Sequence, residues 1–169
     1  MQIKEIINII TPYKNKMYRY ALSIVGSRFV AEDVVQEVII KIWKKKEQFA
    51  IIDNKEAWVI TMVRNLSIDK LRARKKKQTS DINEYFHISD NAPSPHIKLE
   101  QKDAVKKVGE IMNTLPQMQK EIITLRDIEG YTYQEIADIM QIKVDQVKVY
   151  LFRARKVLRE KLLPLRKML

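Results

Sequence analysis

The sequence predicts an all-α fold made of two small helical domains that are joined by a flexible linker. Only 3 of the 169 residues are glycine and 5 are proline, which leaves few turn residues. Long stretches repeat their apolar residues with a helical period, and a polar stretch near the middle has no such period. We therefore predict a first domain over residues 1–77, a linker over 78–99 and a second domain over 100–169.

The first domain is predicted to contain four or five helices. Pro12 suits the start of the second helix, and Gly26 suits its end. A third helix is expected from about Arg28 to Lys46. Asn54 is suited to cap a fourth helix, and a fifth carries Leu66 to Lys77. The first helix is expected to pack through one face, which holds Ile3, Ile6, Ile7 and Ile10.

The middle of the chain has the composition of a linker. Residues 78–100 carry four acids and one lysine, a net charge of −3, together with Pro93 and Pro95. A tether of this kind raises the effective concentration of the second domain at its own binding site once the first domain is bound.

The second domain is predicted to hold four helices. The first runs from near Ile97 to about Asn113, and Pro116 opens another that continues through Arg126. Gly130 breaks the pattern, and Thr132 can cap the next helix. Residues 141–143 then join that helix to a last one, which begins near Val144. Two helices joined by three or four residues form the helix-turn-helix arrangement.

Composition excludes several classes of function. Without cysteine the chain has no disulfide and no thiolate metal site. His87 and His96 both lie in the predicted linker, so we expect no histidine metal or acid/base site and no cofactor. No apolar run approaches the roughly 18 residues of a membrane span, and the N-terminus lacks the features of a signal peptide. We expect a soluble, cytoplasmic protein.

Positive charge dominates the chain and is clustered. The net charge is +11 and the isoelectric point is near 9.7, which suits a polyanionic partner such as nucleic acid. Residues 64–77 hold seven basic residues and one acid, a net of +6. Residues 143–169 hold nine basic residues and two acids, a net of +7. Such clustering favours a functional contact over simple solubility. For residues 72–77 the alternatives are phosphate binding and a helix end that complements the helix dipole.

The last helix is suited to a DNA major groove. At 100° per residue, one stripe is apolar and faces inward, namely Val147, Leu151, Ala154 and Leu158. The opposite side carries Asp145, Val149, Phe152, Arg153 and Lys156, with Lys148 on its flank. Such a helix can present polar groups to bases while its cations hold phosphates. The alternative is a surface helix whose basic face is only solvated.

The third helix of the first domain has a different surface. Its inward stripe consists of Val34, Val35, Val38 and Ile42, whereas Asp33, Gln36, Glu37 and Ile40 face outward. An acidic and amide face around an exposed isoleucine is unusual in so basic a protein, and it suggests a protein partner. An ordinary charged face with one stray isoleucine is the alternative. Trp43 and Trp58 are expected to pack in the core.

These segments together resemble the bacterial sigma-70 family, specifically its small two-domain extracytoplasmic-function (ECF) sigma factors. AEDVVQEVIIKIW resembles the polymerase-binding helix of sigma region 2. AWVITMVRNLSIDKLRARKKK resembles the part of region 2 that melts and reads the −10 promoter element. The stretch from TLPQMQK to VLREKL resembles region 4, which reads the −35 element. The resemblance covers nearly the whole chain and implies a non-enzymatic subunit that binds core RNA polymerase and promoter DNA.

The resemblance also implies roles for individual residues. Asp33, Gln36 and Glu37 would contact the clamp helices of polymerase, and Ile40 joins the same predicted surface. Asn65 matches a position that captures a flipped, unpaired base, an act that costs a few kcal/mol of stacking. The cations that would neutralise nearby phosphates are Arg64, Lys70, Arg72 and Arg74. The predicted −35 set is Asp145, Lys148, Val149, Phe152, Arg153 and Lys156, of which Lys148, Phe152 and Arg153 match family positions.

The chain departs from the family pattern around the last helix. Asp145 and Gln146 stand where a glycine-threonine pair is usual, and Val149 and Tyr150 stand where serine and arginine are common. An aspartate at a helix N-terminus suits the helix dipole but repels phosphate, and it can accept a hydrogen bond from a cytosine amino group. We therefore expect the −35 sequence read here to differ from the family's usual one.

Family members are usually held inactive by an anti-sigma factor that often spans a membrane, so we expect such a partner and no small-molecule substrate. Two alternatives remain at this point. A stand-alone helix-turn-helix regulator of operator DNA would leave the acidic face and the first basic cluster unexplained. A basic RNA-binding or nuclease-like enzyme would need a metal or acid/base cluster, which the sequence lacks.

Overall fold

The computed structural model describes residues 1–80 and 99–166, with side chains for 1–77 and 103–166. Over those ranges the chain forms helices and no strand, which confirms the all-α prediction. The helices group into two compact units, and among the described residues 1–80 fall in the first unit while 99–137 and 142–166 fall in the second. Most of the predicted linker lies outside the described residues, and the domain bounds of 1–77 and 100–169 stay a prediction.

The first unit contains five α-helices, α1 (Ile3–Ile10), α2 (Lys14–Val25), α3 (Arg28–Lys44), α4 (Lys46–Ile51) and α5 (Lys55–Ser80). The division differs from the prediction in two places. The expected fourth and fifth helices are one continuous helix, because the polar Asn65 and Ser67 interrupt the apolar pattern without any glycine or proline to break the backbone. In addition, α3 ends at Lys44, and the short α4 that follows was not predicted.

Local signals at the helix ends include the two that the sequence predicted, at Asn54 and Gly26. The Ala57 amide donates to the Asn54 side chain at 3.0 Å, so Asn54 caps α5. The Val30 amide donates to the Ser27 hydroxyl at 3.3 Å, which caps α3. Gly26 ends α2 with a φ of +69°, a left-handed conformation that favours glycine.

The core of the first unit lies where α2, α3 and α5 pack together. The predicted inward stripe of α3 is fully confirmed, since Val34, Val35, Val38 and Ile42 are all buried. The face predicted for α1 is half right: Ile6 and Ile10 are buried, whereas Ile3 and Ile7 are each 46% exposed. Both tryptophans are only half-buried, and Trp58 packs against Phe49 at the edge of the core, with ring centroids 5.7 Å apart.

The described residues after 98 form α6 (Leu99–Asn113), α7 (Gln117–Ile123), α8 (Tyr133–Met140) and α9 (Val144–Arg166). All of these except the end of α8, from Asp138 onward, fall in the second unit. The helix expected to run through Arg126 instead ends at Ile123 and widens into a π turn over Thr124–Ile128. The core of this unit forms where α7 packs on α9, and Ile136 of α8 is also buried.

Candidate protein and nucleic-acid interfaces

The outward side of α3 is placed as the sequence predicted. Asp33 and Gln36 are exposed, Ile40 is 53% exposed, and Glu37 is partly covered. We call these four residues the acidic face of α3. A cleft of about 480 Å³ adjoins the face, and its wall includes Tyr18 and Phe29 from the first unit. A protein partner would meet carboxylate and amide groups that surround an exposed apolar side chain.

Lys70 on α5 forms ion pairs with the acidic face. Its Nζ lies 2.7 Å from Asp33 Oδ2 and 3.1 Å from Glu37 Oε2. Lys41 stands farther away, at 3.8 Å from Glu37. The hydrogen bond to Asp33 is the main cause that raises the pKa of Lys70 above its ordinary value. The sequence prediction grouped Lys70 with the phosphate-binding cations, yet its ammonium group here neutralises two carboxylates of the predicted protein interface.

Arg74 is also engaged inside the first unit. Its Nη1 donates to the backbone carbonyl of Val25 at 3.2 Å, which satisfies a carbonyl at the end of α2. Lys70 and Arg74 lie seven residues beyond the buried Val63 and Ser67, so they continue the buried stripe of α5. The predicted phosphate contacts of these two side chains stay predictions.

The other predicted −10 residues occupy a different part of α5. Asn65 and Arg72 are exposed, and at 100° per residue they lie about 20° apart on one side of the helix. Lys70 and Arg74 project roughly 140–180° from that side. Arg64 is half-buried and already has an interaction partner within the protein. The structure therefore splits the predicted set, and only Asn65 and Arg72 share an exposed face.

The turn of the helix-turn-helix is short and closely hydrogen-bonded. Gln141 adopts a φ of +54°, and the Ile142 amide donates to the Ala137 carbonyl at 3.0 Å, which ends α8. The Lys143 amide then donates to the Gln146 side chain at 2.9 Å. Gln146 is one of the residues that departs from the family pattern, and this bond gives it a capping role at the start of α9.

Thr132 caps α8 as predicted, and it exchanges hydrogen bonds with Glu135 in both directions. The Glu135 amide donates to the Thr132 hydroxyl at 3.1 Å, and the Thr132 amide donates to Glu135 Oε2 at 2.8 Å. This capping box fixes the N-terminus of α8. Together with the three-residue turn, it fixes where α9 starts.

The surface of α9 divides as predicted. Val147, Leu151 and Ala154 are buried, and Leu158 is half-buried at the end of the stripe. All six residues of the predicted −35 set are exposed, namely Asp145, Lys148, Val149, Phe152, Arg153 and Lys156. We call these six residues the recognition face of α9. The face combines one acid, two apolar side chains and three cations.

An ion pair that the sequence prediction missed holds α9 to the rest of its unit. Arg155 donates from Nε and Nη2 to both carboxylate oxygens of Asp127, at 3.0 and 2.6 Å. Nearby, Arg126 donates to the Tyr131 carbonyl at 2.8 Å and stacks over the Tyr133 ring. Asp127 lies in the π turn, so its position could not be read from a regular helical period. The geometry of this turn thus helps to orient the recognition face.

Among the side chains that the structure describes, at residues 1–77 and 103–166, no three histidines, cysteines or carboxylates cluster in a way that could hold a metal ion. Within 1–80 and 99–166, none of the helices is both long and apolar enough to cross a bilayer.

Both surfaces lie within segments of the chain that match known protein families. Residues 9–77 match sigma-70 region 2, and residues 106–158 match sigma-70 region 4. The first match contains the acidic face of α3 and the exposed residues of α5, and the second contains the helix-turn-helix.

Curated relatives match along most of the chain. The ECF RNA polymerase sigma factor SigM of Bacillus subtilis (strain 168) is 31% identical over 148 residues, covering 87% of this chain and 88% of the relative. RNA polymerase sigma factor SigV of the same organism is 31% identical over 154 residues, with coverages of 91% and 89%. The ECF RNA polymerase sigma-E factor of Haemophilus influenzae is 29% identical, with coverages of 93% and 87%.

Solved structures share the fold. The sigma factor RpoE, determined in complex with the anti-sigma factor NepR from Bartonella quintana, gives a TM-score of 0.81 at 24% identity and covers 94% of this chain and 97% of its own. CnrH, determined in complex with the cytosolic domain of CnrY, gives 0.70 at 18% identity, with coverages of 95% and 89%.

Proposed function

Because the chain belongs to the ECF subfamily of sigma-70 RNA polymerase sigma factors, which act in transcription initiation, we propose that its three surfaces divide that task. The acidic face of α3 binds core RNA polymerase. The exposed side of α5 binds the −10 element, and the recognition face of α9 binds the −35 element. The observation that carries the proposal is the pairing of an acidic face with two separate basic surfaces in one short chain.

The chemistry of the α3 face supports its assignment to polymerase. Three polar groups surround Ile40, which is 53% exposed, so a partner helix could cover the isoleucine while its own cations meet the carboxylates. Nucleic acid is a poor fit for the same face, because phosphates would be repelled by Asp33 and Glu37. Lys70 holds those carboxylates in fixed positions and thus preorganises the contact.

Promoter melting is assigned to the exposed side of α5. Asn65 has both donor and acceptor groups, so it can satisfy the edge of an unpaired base. A base taken out of the stack costs a few kcal/mol, and contacts that exist only in the melted state offset that cost. Arg72 lies on the same side and is placed to neutralise an adjacent phosphate. Arg64, Lys70 and Arg74 remain further candidates, although each already has a partner within the protein.

Recognition of the −35 element is assigned to α9. Lys148, Arg153 and Lys156 are exposed around the helix and suit phosphate contacts. Lys148 and Lys156 also line a cleft of about 420 Å³ in the second unit, together with Tyr133 and Arg159. The start of α9 is fixed by Gln146 and its flank by the Arg155–Asp127 pair, so the helix can enter a groove as a rigid body.

The proposal extends to regulation and location. The solved relatives were determined with NepR and with the cytosolic domain of CnrY, and by analogy we propose an anti-sigma factor that covers the acidic face of α3. A membrane-spanning anti-sigma factor would be compatible with this surface. We propose that the protein acts in the cytoplasm beside the polymerase. The phosphodiester chemistry belongs to the polymerase, and we expect no catalytic activity and no small-molecule substrate for this chain.

Run-off transcription tests the proposal. Core polymerase from the source organism is supplied with genomic DNA, with and without this chain. New start sites that share a spaced pair of upstream motifs are the expected result. A stand-alone helix-turn-helix regulator remains the competing function, and it would bind DNA without creating new starts. Binding without new starts would therefore overturn the proposal in favour of that regulator.

A further inference from the structure

Two apolar side chains stand out on the recognition face of α9. Val149 is 47% exposed and Phe152 is 70% exposed, and they lie one turn apart on the same side of the helix. Neither belongs to the core, since the buried stripe of α9 runs through Val147, Leu151 and Ala154. Isolated apolar residues on a surface need no explanation, but an adjacent pair inside a DNA-facing surface does.

The only apolar group that base pairs present in the major groove is the C5-methyl of thymine. Valine and phenylalanine side chains can bury that methyl, but they cannot hydrogen-bond to a guanine, adenine or cytosine edge. Covering such an edge with an apolar side chain would leave a donor or acceptor unpaired, at a cost of about 1–3 kcal/mol. The pair therefore favours thymine and disfavours the other bases.

Spacing along the helix fits two neighbouring base pairs. Val149 and Phe152 are three residues apart, which corresponds to a rise of about 4.5 Å, and successive base pairs are about 3.4 Å apart. Lys148, Arg153 and Lys156 flank the pair and can hold phosphates on either side. Asp145 stands one turn before Val149, where it can accept only from an amino group such as that of cytosine.

We propose that Val149 and Phe152 are specificity-determining residues that read thymine methyl groups in the −35 element. This inference rests on the proposed function of α9. It gives the −35 element a chemistry, namely neighbouring thymines in the part of the site that lies against the middle of the helix.

The experiment replaces each thymine of the −35 element with deoxyuridine, which removes the methyl and leaves every hydrogen-bonding group in place. The template is a promoter identified by run-off transcription, and holoenzyme affinity is measured by competition binding. Loss of one buried methyl is expected to weaken binding about three- to fivefold at one or two positions. On thymine templates, Val149→Ala and Phe152→Ala are expected to weaken binding by a similar factor.

The combination of protein and DNA changes identifies the contact. Each alanine variant should lose its sensitivity to deoxyuridine at one position while it keeps sensitivity at the other. Both side chains are exposed, so the variants should fold normally, which circular dichroism checks. Lys148→Ala is the control, because loss of a phosphate contact should weaken binding to thymine and uracil templates alike.

Two results overturn the inference in distinguishable ways. If the wild-type holoenzyme forms a promoter-specific complex that is indifferent to deoxyuridine at every position, the methyl contact is wrong and the proposed function stands. If no promoter-specific complex forms on the thymine template, the proposed function fails and the inference fails with it.

Discussion

The ion pairs between Lys70 and the acidic face of α3 are predicted to stabilise the first unit, and the exposure of the paired side chains sets the magnitude. The Lys70 side chain is 27% exposed, Asp33 54% and Glu37 39%, so both pairs are partly screened by water. Pairs of this kind contribute about 0.2–1 kcal/mol each. Lys70→Met keeps an apolar stem and removes the charge, and we expect it to lower the free energy of unfolding of the first unit by about 1 kcal/mol.

Urea unfolding that is monitored by tryptophan fluorescence is the suitable assay. The chain has two tryptophans, Trp43 and Trp58, and both lie in the first unit, so the signal reports that unit alone. A double-mutant cycle pairs Lys70→Met with the combined Asp33→Asn and Glu37→Gln variant. Independent sites add to within about 0.3–0.5 kcal/mol, so a coupling energy of about 1 kcal/mol is measurable.

Salt and pH provide further checks on the same cycle. The coupling should shrink in 1 M salt, where the screening length is about 3 Å. In the folded protein the pKa of Lys70 is raised above its ordinary value of 10.5, mainly by the hydrogen bond to Asp33. The stabilisation is therefore present below pH 10.5 and is lost as the pH rises through the folded-state pKa. Lys75→Met, at an exposed position on the same helix, should change stability little. A coupling energy below about 0.3 kcal/mol at low salt would refute the reasoning.

Three further predictions concern the polymerase contact, promoter melting and a helix end. Gln36→Ala combined with Glu37→Ala should weaken core-polymerase binding about five- to thirtyfold while the first unit stays folded, as measured by fluorescence anisotropy and tryptophan fluorescence; unchanged affinity would count against the α3 interface. Asn65→Ala should lower open-complex formation, seen by permanganate reactivity, about five- to thirtyfold more than closed-complex binding, because its contact forms only after melting; equal losses at both steps would contradict the assignment. Gly26→Ala should destabilise the first unit by about 1 kcal/mol in the urea assay, because the added Cβ meets no atom within 4 Å and only the φ of +69° opposes it; an unchanged midpoint would show that the turn relaxes.

Much of the fold could be predicted from periodicity and local signals. The stripes of α3 and α9 are regular, and the caps at Asn54 and Thr132 depend on short-range chemistry that the sequence carries directly. Two features were not predicted, because no local signal in the sequence marks them. The π turn after Ile123 shifts the helical phase, and α5 continues through polar residues that a period count treats as an interruption.

The exposure of the candidate site residues was predicted best where a single helix face decides it. All six residues of the recognition face are exposed because α9 packs through a single, clear apolar stripe. The ion pair of Arg155 was not predicted, because its partner Asp127 lies in the π turn, 28 residues earlier in the chain. An ion pair between residues so far apart depends on tertiary packing, which charge patterning along one helix does not reveal.

The predicted −10 residues of α5 do not all lie on one side of the helix. The family resemblance grouped Lys70 and Arg74 with Arg64, Asn65 and Arg72. Lys70 and Arg74 each follow a buried residue, Val63 or Ser67, by seven positions, so helical register predicts that they face α2 and α3. There Lys70 meets two carboxylates, and Arg74 meets the C-terminus of a helix. Helical register therefore sorts these residues better than charge does. It leaves the exposed side of Asn65 and Arg72 available for the proposed DNA contact. Lys70 then connects the helix proposed to bind the −10 element to the helix proposed to bind polymerase.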